Sequence, residues 1–125
     1  PQNKFVANFI GDANVVKAEI LNKQSNSYDL KIAEMKIKVQ SDKELGETVS
    51  VALRPEKISI NKDKKENSIH ATVNNASFVG NSYQYILNSN AGKLFVISGE
   101  TNDTFKVGEE VFLSINDKEV KILND

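Results

Sequence analysis

The sequence predicts an all-β chain, and three observations carry that expectation. Apolar residues alternate with polar ones at the period of two that marks half-buried strands. Turn signals recur every ~8–12 residues, the spacing of sandwiches and barrels. No window keeps the i, i+3, i+4 apolar spacing over three turns, so no amphipathic helix is expected.

Taken in order, Phe5-Val6-Ala7-Asn8-Phe9-Ile10 reads as a strand and Gly11-Asp12-Ala13-Asn14 as a turn. Residues 15–21 form a second strand, and residues 22–27 a polar turn. Tyr28, Leu30 and Ile32 alternate, as do Met35, Ile37 and Val39. The phase slips at Ala33-Glu34, which predicts a tight hairpin there. Residues 41–47, with Gly46, form a loop. Residues 61–67 hold no apolar side chain and read as an exposed, mobile connection between two halves. Ile69, Ala71 and Val73 open the second half. Phe78-Val79-Gly80-Asn81-Ser82 is a strand end and turn. Tyr83, Tyr85 and Leu87 alternate, residues 88–92 turn, and residues 94–97 form a buried strand. A loop over 99–104 precedes strands at Val111, Leu113 and Ile115 and at residues 120–123.

Between the halves lies Val49-Ser50-Val51-Ala52-Leu53-Arg54-Pro55-Glu56-Lys57-Ile58-Ser59-Ile60. Pro55 removes a ladder N–H and pushes Arg54 toward an extended conformation, so the strand must end there. Ile58 and Ile60 resume the alternation. The corner displays Arg54 and Glu56, expected to form a polar latch that presents a contact surface. Arg54 is the only arginine among 16 Lys and Arg residues. Its planar fork suits bidentate pairing with a carboxylate. The plainer reading is a surface residue with a local partner.

The halves resemble each other. Leu45-Gly46-Glu47-Thr48-Val49 matches Val107-Gly108-Glu109-Glu110-Val111 at an offset of 62, and Ile58-Ser59-Ile60 matches Val120-Lys121-Ile122 at the same offset. Phe9-Ile10-Gly11-Asp12-Ala13 matches Phe78-Val79-Gly80-Asn81-Ser82 at an offset of 69, which gives the first half about seven extra residues. The 125 residues therefore read as one region of two interleaved or tandem β units, about 1–61 and 68–125. Five-stranded units of this kind suit an OB-like barrel. The Arg54-Pro55-Glu56 corner has Asn116-Asp117-Lys118 as its counterpart, which reads as an ordinary turn.

Composition narrows the chemistry. A net charge of -1 leaves no electrostatic footprint for nucleic acid. No apolar run approaches the ~20 residues of a membrane helix. With no cysteine and one histidine, His70, neither a thiolate metal site nor a Ser–His couple can be assembled. No G-x-x-x-x-G-K-[S/T] loop occurs. Glu109-Glu110 reads as a solvated turn, and Tyr83 and Tyr85 as a barrel wall or interface before a base-stacking platform. No signal peptide is evident, and the start at Pro1 suggests a piece of a longer chain.

Phe5-Val6-Ala7-Asn8-Phe9-Ile10-Gly11 with Asn14, followed by Leu53-Arg54-Pro55-Glu56, resembles the C-terminal regulatory region of ABC importer ATPase subunits, the region containing TOBE domains. Among these the chain is most similar to the spermidine/putrescine type. The resemblance marks Phe9, Ile10, Gly11, Asn14 and Gly80 as a turn signature, and Arg54, Pro55 and Glu56 as a family signature and contact corner. It implies two tandem TOBE-type repeats and no catalytic, cofactor or metal residue in this region. ATP and Mg would bind a preceding domain, so this piece is itself no enzyme. The implied partners are a second copy of the subunit across a two-fold axis, its own nucleotide-binding domain and, indirectly, the membrane subunits, with no nucleic acid. The implied location is peripheral, on the cytoplasmic face of the membrane. The alternatives are a small-anion or metabolite-binding TOBE module, or the same region of a ferric-iron or sugar importer.

Overall fold

The computed structural model describes residues 8–10, 12–99 and 102–123. The strand read at Phe5-Val6-Ala7 and the signature glycine Gly11 lie outside the described residues. The strands are β1 (Asn8–Ile10), β2 (Ala13–Gln24), β3 (Ser27–Ile32), β4 (Met35–Gln40), β5 (Thr48–Leu53) and β6 (Ile58–Asn61), then β7 (Ile69–Val79), β8 (Ser82–Ser89), β9 (Gly92–Gly99), β10 (Glu110–Ile115) and β11 (Val120–Ile122). Three-residue 3-10 turns at Pro55–Lys57 and Asp117–Glu119 are the only helical elements among the described residues.

Local sequence explains most strands. β4 buries Met35, Ile37 and Val39 and exposes the lysines between them, so one face meets the core and the other meets water. The slip at Ala33-Glu34 is a two-residue hairpin, with Ala33 at φ 53 and Ile32 paired to Met35. Such loops need left-handed backbone. Gly80, at φ 68, supplies it between β7 and β8.

Two curled sheets form, as expected of an OB-like barrel. The first runs β11-β5-β2-β3-β4, with β1 also on β2; the second runs β6-β10-β7-β8-β9. The sequence halves thus exchange their last strands. β6 pairs with β10, and β11 pairs with β5, both antiparallel. One core results, with Tyr28, Leu30, Leu53, Tyr85, Leu87 and Leu113 each 1% exposed or less. Burying an aliphatic side chain this fully is worth ~1.5–3 kcal/mol before entropy is counted.

The pairing corrects the internal alignment. β2 corresponds to β7, since both bulge, after Ile20 and after Val73, before the next strand. Ile20 N–H donates to Glu47 O at 2.9 Å and Val73 N–H to Glu109 O at 3.0 Å. The Gly-Glu match at offset 62 is therefore structural. The Phe-x-Gly match at offset 69 is not: Phe9-Ile10 precedes the β1–β2 turn, whereas Phe78-Val79 precedes the β7–β8 turn. The true counterpart of Gly80-Asn81 is Ser25-Asn26, with Ser25 at φ 57. From Ile20 to Glu47 is 27 residues and from Val73 to Glu109 is 36, so the second half is the longer there.

Two further expectations change. Asn14 is not a turn residue; it pairs with Leu53 inside β2 and is 1% exposed. Asn61 belongs to β6, and the connection over 62–67 is exposed but fastened at its end. Asn67 donates to Lys36 O and accepts from Lys36 N–H, both at 2.7 Å.

Candidate functional site

The corner begins where β5 ends. Pro55, buried, occupies the first position of its 3-10 turn, where a missing N–H costs nothing. Lys57 N–H donates to Arg54 O at 3.0 Å and closes the turn. The Asn116 corner repeats this backbone: Glu119 N–H donates to Asn116 O at 2.8 Å, and φ/ψ is −74/135 at Arg54 and −68/137 at Asn116. The corner is thus duplicated in shape, contrary to the sequence reading, while its side chains differ.

The expected Arg54–Glu56 pair is present only as a long contact, and Asp12 is the closer partner. Arg54 Nη1 lies 2.9 Å from Asp12 Oδ2 and 3.7 Å from Glu56 Oε2. One nitrogen serves both carboxylates, and the bidentate fork is not formed. These side chains are 53%, 77% and 48% exposed, so the pairs contribute little to stability. Asp12 is 42 residues from Arg54. Only the β2–β5 register, which sets Asn14 opposite Leu53, brings it there.

A shallow groove of about 760 Å³ opens beside Arg54, over the outer side of β2, β5 and β11. Ile10, Val15, Ala52 and Leu123 give it an apolar lining; Lys118 and Lys121 join Arg54 at the rim, with Asp12 and Glu119. The structure brings Ile10 and Arg54 of the two signatures together here. Phe9 packs edge-on against Phe95 with ring centroids 5.2 Å apart. Asn14 is buried beneath and bonds to Leu53 and Phe95. Gly80 belongs to the other sheet.

The remaining candidates have local roles. Tyr85 stacks on Tyr83 at 6.1 Å, is fully buried and accepts from Phe105 N–H at 3.1 Å, which makes it barrel wall. Burial pushes its hydroxyl pKa above the ordinary value. His70 stacks on Phe112 and lies 3.4 Å from Glu110. Hydrogen bonding to Lys23 holds the Glu44 carboxyl below its usual range, and Lys38 does the same for Asp29. Among the described residues no group of three or more His, Asp or Glu side chains could hold a metal ion. No helix there is long and apolar enough to cross a membrane.

The family model described as TOBE domain matches residues 51–123, from the middle of β5 to the end of β11. The chain belongs to the TOBE domain family. Similar proteins, each named Fe(3+) ions import ATP-binding protein FbpC, occur in Brucella suis at 21% identity, Agrobacterium fabrum at 24% and Fusobacterium nucleatum at 25%. The matches cover 99%, 99% and 100% of this TOBE chain, but 35%, 35% and 34% of those proteins. The chain therefore spans about a third of their length. A solved structure of the cytoplasmic molybdate-binding protein ModG, with molybdate bound, shares the fold at a TM-score of 0.72 and 14% identity. It covers 90% of this chain and 96% of its own.

Proposed function

We propose that this TOBE chain is the regulatory and dimerisation region of an ABC importer's ATP-binding subunit, and that the importer carries iron(III). The observation behind this reading is the alignment of nearly the whole chain with one third of an iron-import ATP-binding protein. ATP and Mg would bind the remaining two thirds. The partners would be a second copy of the subunit, its own nucleotide-binding domain and, through it, the membrane subunits, at the cytoplasmic face. The spermidine/putrescine reading drawn from the resemblance finds no support in the relatives named above, and iron(III) replaces it.

A second reading, a small-anion-binding module, draws on the likeness to molybdate-bound ModG. The test is deletion of this region from the full-length subunit, with radiolabelled iron(III) and spermidine uptake measured in cells beside ATP hydrolysis. Iron uptake should fall while hydrolysis persists. Loss of spermidine uptake alone would overturn the iron assignment. Unchanged uptake of both, with calorimetric binding of molybdate to the 125-residue chain, would replace the importer reading by the anion-binding one.

A further inference from the structure

β7 outruns one of its neighbours. β10 pairs with it from Ile69 to Thr72, while β8 pairs with it as far as Val79. Val73 still bonds Glu109 and Gly108 on the β10 side. Residues 74–79 are all exposed, and no strand among the described residues lies along their outer edge. The phase of the ladder shows which groups are free there. Phe95 N–H turns away from β8 to meet Asn14, so its partner Ile86 faces β7, and Asn75 faces Ile86. Ala76 and Phe78 therefore point their N–H and C=O groups outward. From Ala71 to Gly92 the sequence has no Asp, Glu, Lys, Arg or Pro, in a chain that is 26% charged. Proteins commonly blunt an open edge with Lys or Pro, and the first half does so. Counted from the two bulges, Lys23 stands where β7 has Ala76: Lys23 pairs with Tyr28 as Ala76 pairs with Tyr85. β2 also ends at Gln24, and Lys23 is bonded to Glu44 at 2.7 Å.

We propose that the outer edge of residues 74–79 pairs antiparallel with the same edge of a second copy, about a two-fold axis at Ser77. This register sets Ala76 opposite Phe78 of the second copy, so the outward groups of both residues are all bonded. Phe78, 53% exposed and already against the Tyr83 ring at 4.8 Å, would pack beside the small Ala76 of the second copy. Whatever fits this edge must bring a strand that is open, antiparallel and uncharged. A second copy brings all three, and a two-fold contact between uncharged edges sets no like charges against each other. A charged partner would find no opposite charge on this edge. Few charges and exposed aromatic side chains are also what interface cores show. The contact is closed, since each copy has used its edge, and a dimer results in place of a filament. It is small, and the remainder of the subunit would raise the effective concentration at which the edges meet. The inference deepens the dimerisation part of the importer reading and rests on it for the presence of a second copy.

The 125-residue chain has no cysteine, so Ser77→Cys introduces a single thiol on the proposed axis. A non-hydrogen-bonded antiparallel pair sets Cα atoms about 4.5 Å apart, within reach of a disulfide. With diamide as oxidant, Ser77→Cys should form a covalent dimer at least about tenfold faster than Gln24→Cys, on the matching exposed edge of the first half. Sedimentation of the parent chain should show a monomer–dimer equilibrium. Ala76→Lys, which copies Lys23 into the second half and should leave the fold intact by melting, should weaken the dimer at least about tenfold. Gln24→Lys should leave the equilibrium unchanged. Equal cross-linking of the two cysteines, a strict monomer at about 1 mM, or growth beyond a dimer would overturn the edge pairing. A dimer that Ala76→Lys leaves intact would overturn it too, in favour of another surface. None of these outcomes touches the importer reading, whose failure shows instead as unchanged iron uptake after the region is deleted.

Discussion

The side-chain amide of Asn14 clasps the backbone of Phe95, accepting from its N–H at 2.8 Å and donating to its carbonyl at 2.9 Å. It also donates to Leu53 O at 3.1 Å. Asn14 opens β2 of the first sheet, and Phe95 lies on β9, the edge strand of the second. Asn67, just before β7, does the same to Lys36 on β4, the edge strand of the first. One residue on an edge strand of each sheet, Phe95 and Lys36, is thus bonded by an amide at or just before the start of a strand of the other sheet, which blunts these two edges against unwanted pairing.

These clasps differ in burial, and that difference sets their energetics. Asn14→Ala leaves the Phe95 N–H and two carbonyls short of partners in a nearly dry site, so unfolding free energy should fall by ~2–4 kcal/mol. Asn67→Ala exposes the Lys36 groups to water, and the loss should stay below ~1 kcal/mol. Urea denaturation of both variants measures the contrast. Equal losses would mean that burial at Asn14 is not what strengthens its clasp.

The equivalence of Ser25 and Gly80 gives a paired prediction. Both hold left-handed backbone, at φ 57 and φ 68. No atom lies within 4 Å of a Cβ placed at Gly80, so Gly80→Ala is opposed by conformation alone and should cost ~1 kcal/mol. Ser25→Gly relieves the same strain and should gain ~0.5 kcal/mol, less than the full relief because glycine has more freedom to lose. Thermal melts with opposite signs support the revised alignment; a destabilised Ser25→Gly contradicts it.

The strands and tight hairpins were legible because their signals are local. Alternation marked β3, β4 and β8, and the phase slip marked Ala33-Glu34. The misaligned repeat shows the limit of such signals. Phe9-Ile10-Gly11 and Phe78-Val79-Gly80 each announce a hairpin, but not which strands it joins. The structural repeat instead includes Tyr28-x-Leu30 and Tyr85-x-Leu87, too short a string to stand out. The strand exchange, the Asn14 clasp and the Asp12 partner of Arg54 join residues 39 to 81 apart. Register alone decides such contacts, and no window of sequence contains it.

Those two tyrosines tether equivalent loops, which leads to a third prediction. Tyr28 donates to Lys43 O at 2.8 Å and accepts from Leu45 N–H at 3.3 Å; Tyr85 accepts from Phe105 N–H at 3.1 Å. Tyr85→Phe leaves a buried N–H unpaired and should cost ~1–2 kcal/mol, more than Tyr28→Phe, whose partners Lys43 and Leu45 are exposed and half-buried and can turn to water. Burial raises the Tyr85 pKa, so the unfolded chain gives up this proton first. The resulting stability is present below the ordinary tyrosine value near 10.0 and is lost as pH rises through the higher folded value. Denaturation midpoints from pH 8 to about 11 should fall less steeply in Tyr85→Phe than in the parent chain. Parallel profiles would remove Tyr85 as the cause.

The last prediction separates the two carboxylates that share Arg54. At 2.9 Å Asp12 makes a charge-assisted hydrogen bond; at 3.7 Å Glu56 makes only a Coulomb contact. All three groups are about half exposed or more. A double-mutant cycle of Arg54→Ala with Asp12→Ala should therefore give a coupling of ~0.5 kcal/mol, and the cycle with Glu56→Ala under ~0.3 kcal/mol. Both should shrink when salt brings the screening length to ~3 Å at 1 M. Because one nitrogen carries both contacts, Arg54→Lys should keep most of the Asp12 coupling and change stability by under ~0.5 kcal/mol. If Arg54→Lys abolishes the Asp12 coupling, the fork is used within the fold, and the choice of arginine at this corner is accounted for.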